Sequence, residues 1–139
     1  MIFSAELGQL HAILSWVVEE AEKAGITTPA IHKIELACEE VVVNIIHHAY
    51  GDAPGHTLEI ECERPKPKCL EITVRDRGKP FNPLDRERPA NLTAPASQRK
   101  IGGLGIYFVQ EVMDNVSYHR DGNANVLKLV KDESRVHSR

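Results

Sequence analysis

Glu39-Glu40-Val41-Val42-Val43-Asn44 is the first stretch of this chain whose residue types and spacing could do chemistry. Glu40 and Asn44 are four apart, so on a helix they share one face about a turn from each other. A carboxylate and a carboxamide placed this way can serve Mg²⁺, a hard cation that takes oxygen ligands and keeps several waters. The commoner use of such a pair is a solvated polar face with a hydrogen bond between the two side chains. A second place is Asp76 in Val74-Arg75-Asp76-Arg77-Gly78. Asp76 continues the alternation of Leu70, Ile72 and Val74, so its carboxylate aims inward at a strand end, where it needs a partner. The exocyclic amine of an adenine could be that partner, with Gly78 letting the chain turn beside the base. Backbone N–H groups of the Asp-Arg-Gly turn, or Arg77, would serve Asp76 equally well.

The third place is Gly102-Gly103-Leu104-Gly105, directly before a helical pattern. Glycines there allow left-handed backbone, and a helix N-terminus presents unpaired N–H groups to an anion such as phosphate. A Gly-rich turn before a helix is more often only a loop. Here it follows a long polar stretch carrying Arg99 and Lys100, two cations able to close over a triphosphate. The histidines, His47 and His48 included, are too scattered for a metal cluster, and nothing lies at zinc spacing. His48, one turn after Asn44, reads as structural, and Trp16 as a packing residue.

These residues need elements to hold them. Met1–Ala5 reads as a short strand. Apolar residues at Leu7, Leu10, Leu14, Val17, Val18 and Ala21 have helical spacing, and Gly25 stops that helix. Thr28 as N-cap and Pro29 in the first turn open a second helix running to about Tyr50. Gly51–Gly55 is a turn. Thr57–Glu63 and Cys69–Arg75 alternate and form an antiparallel hairpin. From Arg77 to Lys100 the periodicity dissolves, and a stretch of that length in a compact domain suggests a functional lid. Helical spacing returns with Ile106, Val109 and Met113. Strands at about Val116–His119 and Val126–Val130 close the chain around an Asp121–Asn125 turn. Helices first and then a mainly antiparallel sheet predict a two-layer α/β sandwich with the helices on one face.

The 139 residues suit one domain, set at 1–131 with a lid at about 82–102 and a polar tail at 132–139. At 42% hydrophobic and 27% charged residues the composition is that of a soluble globular protein, and a net charge of −3 gives no basic field for nucleic acid. No apolar run reaches the roughly 18 residues of a membrane span, and the N-terminus lacks a signal-peptide pattern. Of the three cysteines, Cys62 and Cys69 flank the hairpin turn, but their strand parities point them to opposite faces. Free thiols in a reducing cytoplasm is the consistent reading.

Glu-x3-Asn on a helix, Asp-x-Gly after a strand and Gly-x-Gly opening a helix, in this order and spacing, resemble the GHKL ATPase superfamily over nearly the whole chain. Within it, Glu40-Val-Val-Val-Asn44-Ile-Ile-His-His48-Ala-Tyr50 is most similar to the anti-sigma-factor serine kinases. The length and the absence of a histidine-bearing dimerisation helix fit these stand-alone domains. The resemblance implies an ATP- and Mg²⁺-dependent serine/threonine protein kinase that phosphorylates a STAS-type anti-sigma-factor antagonist and sequesters a sigma factor in the cytoplasm. It implies that Asn44 holds Mg²⁺ and that Glu40 is general base toward the serine hydroxyl. Asp76 would read the adenine amine with Gly78 beside the base. Gly103, Leu104 and Gly105 would meet the phosphates, with Arg99 and Lys100 in the lid. A homodimer paired through the N-terminal segment is also implied, although internal packing explains the amphipathic first helix as well. The alternative is a nucleotide-binding scaffold that sequesters its partner without catalysis; a retained Glu40 argues for the kinase. One departure stands out: the family closes with a Gly-Thr pair near its last strand, and this chain has Gly122-Asn123-Ala124-Asn125-Val126, where Asn125 could replace the threonine's hydrogen bond.

Overall fold

The computed structural model describes residues 1–85 and 105–135. Strand β1 (Ile2–Ser4) leads through a 3-10 turn at Leu7–Gln9 into α1 (Leu10–Lys23), followed by α2 (Thr28–Asn44). The hairpin β2 (Thr57–Glu63) and β3 (Cys69–Asp76) comes next, then a 3-10 turn at Pro83–Asp85. Helix α3 (Gly105–Val112) and the hairpin β4 (Asn115–Asp121) and β5 (Ala124–Asp132) complete the fold, with a last 3-10 turn at Glu133–Arg135. The five strands lie in the order β1-β2-β3-β5-β4, and every pairing is antiparallel. The helices pack on one face of this sheet, giving the two-layer α/β sandwich that the sequence predicts.

Gly25 ends α1 as expected. It takes φ 82°, and the amides of Gly25 and Ile26 bond back to Glu22 O and Ala21 O at 3.0 and 3.2 Å. This is the paired closure of a helix by a left-handed glycine, with Ile26 tucked into the core. Helix α2 starts one residue earlier than the Thr28 cap anticipates, with Thr27 in extended conformation as N-cap. The Thr27 hydroxyl does not cap the helix. It donates to Glu133 Oε2 at 2.8 Å while the Thr27 amide donates to Oε1 at 2.7 Å. This partner lies more than a hundred residues away in sequence.

The far end of α2 also departs from the expectation of a helix continuing to Tyr50. Ile45–Ala49 widens into a π-helical turn, with Tyr50 N bonding to Ile45 O at 3.0 Å. Such turns bend a helix and recur near functional sites. Here it carries His48, Ala49 and Tyr50 across to the end of β3.

Two apolar layers meet between the helices and the sheet. Ile13, Val17, Ile34, Val42 and Val109 face Leu58, Ile60, Leu70, Ile72 and Leu129, all essentially inaccessible. Strand register arranges the sheet side in rows: Ile60 opposite Val74 and Val74 opposite Leu127, then Cys62 opposite Ile72 and Ile72 opposite Leu129. The next row toward the β3 C-terminus places Asp76 between Leu58 and Asn125. Polar chemistry therefore begins where the apolar rows end. Cys62 shares the parity of this core face and Cys69 the opposite one, and all three cysteines are free. Burial pushes the thiols of Cys38 and Cys62 up to about 12, so neither is a thiolate nucleophile at neutral pH. Trp16 packs edge-on against Phe3 at 6.2 Å. No helix among the described residues is long and apolar enough to cross a membrane.

Candidate functional site

A cavity opens between α2, α3 and the Asp76 end of the sheet. Val41, Asn44 and Ile45 come from α2 and its π-helical extension, and Ile106 from α3. Asp76, Asn125, Leu127 and Tyr118 come from the sheet, and Phe81 and Pro83 from the segment after β3. The wall is apolar except for a few converging polar groups, the usual composition of a site for a flat aromatic ligand with one polar edge.

Asp76 is 4% exposed. The Gly78 amide and Asn125 Nδ2 both donate to its Oδ1, each at 2.9 Å. Its Oδ2 takes no hydrogen bond among the described residues, and no buried side-chain oxygen there is left without a partner, so Oδ2 is open to the cavity. Burial pushes the Asp76 carboxyl above its ordinary value, against the opposing pull of Asn125, the Gly78 amide and Arg120. The two sequence readings of Asp76 are thus compatible: one oxygen serves the turn and the other faces the pocket.

The turn after Asp76 is held from both sides. Arg77 N donates to Tyr50 Oη at 2.8 Å, and Tyr50 Oη donates in turn to Thr57 O at 2.6 Å. Lys79 N donates to Ala49 O at 3.0 Å, and Arg120 Nη1 donates to Gly78 O at 2.9 Å. A Cβ on Gly78 would stand 2.4 Å from Ala49 O, so glycine is needed there for close approach of two backbones. Gly78→Ala is accordingly expected to cost about 1–3 kcal/mol of stability and to weaken ligand binding in the cavity. A thermal melt and a nucleotide titration check this, and a variant as stable as the parent would count against the contact.

Asn44 is 7% exposed and lines the cavity, and its carboxamide makes no hydrogen bond among the described residues. A buried carboxamide with free bonding capacity turned to a cavity can give its oxygen to a hard cation. Glu40 lies one turn earlier, half-buried, with no hydrogen bond or ion pair among the described residues. Its carboxylate rests against the first residue of α3: a Cβ on Gly105 would lie 2.0 Å from Glu40 Oε2. Burial, and then the neighbouring Glu39, raise the Glu40 carboxyl above its ordinary value, the direction that makes a carboxylate a better proton acceptor. Thus Asn44 and Asp76 line one cavity, Gly78 holds Asp76 through its amide, and Glu40 meets Gly105 next in sequence to the lining residues Val41 and Ile106. Arg99, Lys100, Gly103 and Leu104, and most of the anticipated lid, lie outside the described residues.

Several contributors escaped the sequence reading. Tyr118 and Phe81 are isolated aromatics in polar surroundings, visible only once β4 and the post-β3 segment close on the cavity. His48 stacks on Phe81 with ring centroids 5.0 Å apart, a structural use of that histidine. Tyr50 closes the family-like stretch in sequence, but its hydroxyl's bonds to Arg77 N and Thr57 O have no local signal. Asn125, by contrast, stands where the sequence offers a replacement for a threonine's hydrogen bond, and it does bond to Asp76.

The family model described as histidine kinase-like ATPase domain matches residues 3–131. The chain is 30% identical over 122 residues to the serine-protein kinase RsbW of Listeria innocua, covering 84% of this chain and 76% of that protein. It is 32% identical over 91 residues to the anti-sigma F factor of Oceanobacillus iheyensis, covering 65% of this chain and 60% of that protein. Among solved structures, the histidine kinase domain of the Erythrobacter litoralis blue-light activated histidine kinase matches with a TM-score of 0.55 at 16% identity. That match covers 91% of this chain and 62% of the other, and is a likeness of fold.

Proposed function

Because the chain belongs to the histidine kinase-like ATPase domain family and aligns over most of its length with serine-protein kinases of that family, we propose that it is an ATP- and Mg²⁺-dependent serine/threonine protein kinase. It acts as an anti-sigma factor, phosphorylating a STAS-type antagonist and sequestering a sigma factor in the cytoplasm. The observation that carries this reading is the cavity itself: Asp76 from the sheet and Asn44 from α2, whose carboxamide makes no hydrogen bond among the described residues, both line it, and Glu40 stands one turn from Asn44.

In this reading the cavity residues Phe81, Ile106 and Leu127 would hold the adenine, and Asp76 Oδ2 would accept a hydrogen bond from its amine. Asn44 would hold Mg²⁺ through its carboxamide oxygen, and the ion would supply charge neutralisation on the phosphates. Gly105 opens α3 and offers a backbone N–H group to the phosphates, while the phosphate contacts expected of Arg99, Lys100, Gly103 and Leu104 fall outside the described residues. Glu40 accepts the proton of the serine hydroxyl as its oxygen bonds to the γ-phosphorus and the bond to the β-phosphate oxygen breaks, releasing ADP. Phosphoryl transfer depends chiefly on such positioning and charge neutralisation. A homodimer paired through the N-terminal segment fits the same reading, since β1 is an edge strand with Ile2 66% and nearby Leu7 53% exposed.

Intact-mass analysis of a STAS-domain antagonist incubated with the protein, ATP and Mg²⁺ tests the activity. One added phosphate on a serine or threonine is expected. Stable association without added phosphate would replace the kinase with a nucleotide-binding scaffold.

A further inference from the structure

Asn125 uses its whole hydrogen-bonding capacity inside the protein. Nδ2 donates to Asp76 Oδ1 and to Lys79 O, both at 2.9 Å. Oδ1 accepts from Phe81 N at 3.1 Å and from Tyr118 Oη at 2.5 Å. Two hydrogens and two lone pairs are all that a carboxamide has, so Asn125, 4% exposed, has nothing left for a ligand although it lines the cavity. Its orientation is not ambiguous. A backbone carbonyl can only accept and a backbone amide can only donate, so Lys79 O and Phe81 N dictate which end is nitrogen. Consequently Asp76 Oδ1 must face a donor. It also receives the Gly78 amide, and an oxygen holding two donors is a poor place for a proton. The two donors on Oδ1 favour the ionised carboxylate, and in that form the oxygen that remains toward the cavity, Oδ2, can only accept.

Resting on the adenine-reading role given to Asp76 above, we propose that Asn125 is a positioning residue that fixes the hydrogen-bond polarity of the base slot. By holding Asp76 as an acceptor toward the cavity, it makes the slot take a purine bearing a 6-amino group and reject a 6-oxo purine. The same four bonds tie β3, the Lys79–Phe81 segment, β4 and β5 together, so the polarity is built in before ligand arrives.

The test uses three probes: ATP, its analogue lacking the 6-amino group (purine riboside triphosphate), and inosine triphosphate. Calorimetric titration of the parent is expected to rank them in that order. Asn125→Thr and Asn125→Val then differ almost only in a hydroxyl able to donate to Asp76. Both are β-branched and suited to a strand. The threonine variant is expected to keep the preference for ATP over inosine triphosphate, and the valine variant to lose it by about 10- to 100-fold, the range for a buried polar group deprived of its partner. Equal preference in the two variants would assign Asn125 a purely structural role and overturn the proposal. If neither variant folds, the parent ranking decides: inosine triphosphate binding as tightly as the unsubstituted purine would mean the slot has no fixed acceptor. Failure of the parent to bind ATP at all would instead remove the underlying nucleotide-site reading.

Discussion

Glu40→Gln is expected to leave ATP bound and to slow phosphate transfer to the protein substrate by about two to four orders of magnitude. The carboxamide keeps the shape and length of the side chain but cannot take a proton. Nothing else in the local structure should change, because Glu40 makes no hydrogen bond or ion pair among the described residues and rests against Gly105 through space. The pH dependence gives the same role a second signature. Burial and Glu39 raise the Glu40 carboxyl above its ordinary value, and a base works only when ionised. Transfer should therefore fall as pH drops through this raised pKa, and the glutamine variant should lack that acidic limb. Single-turnover transfer measured across pH checks both parts. Equal rates in variant and parent would remove Glu40 from the role of base.

The second large effect concerns Asn44→Ala. Loss of an outer hydrogen-bond partner alone commonly costs roughly 10- to 100-fold in metal affinity, so loss of a direct ligand should cost at least that. ATP affinity in the presence of Mg²⁺ is expected to fall toward the affinity measured without it. The stability of the fold should change little by comparison, since the Asn44 carboxamide holds nothing else among the described residues. An undiminished response to Mg²⁺ in the variant would contradict the metal role.

Much of this architecture was legible from periodicity. The Thr57–Glu63 strand has the bounds its alternation suggests, and β3 runs one residue further, to Asp76 itself. Gly25 had to end a helix because only glycine takes its left-handed backbone without cost. Parity aimed Asp76 inward and separated Cys62 from Cys69, since side chains alternate along a strand whatever the rest of the chain does. What escaped was long-range. Glu133 engages Thr27 across nearly the length of the chain, and no local pattern announces it. The π-helical turn keeps the apolar character of a helix, so Ile45–Ala49 looks continuous in sequence while its geometry carries Tyr50 to Arg77. Asn125 depends on register: only when Asp76 and Asn125 stand opposite each other do its four bonds become visible.

The central claim is that this cavity binds ATP with Mg²⁺, and titration of the purified chain with ATP, with and without Mg²⁺, tests it most directly when run beside Asp76→Ala. The expected result is saturable binding that Mg²⁺ tightens and that the variant weakens by at least about tenfold, the loss of a hydrogen bond to a charged group. Binding that ignores both Mg²⁺ and Asp76, or no binding at millimolar ATP, would contradict it.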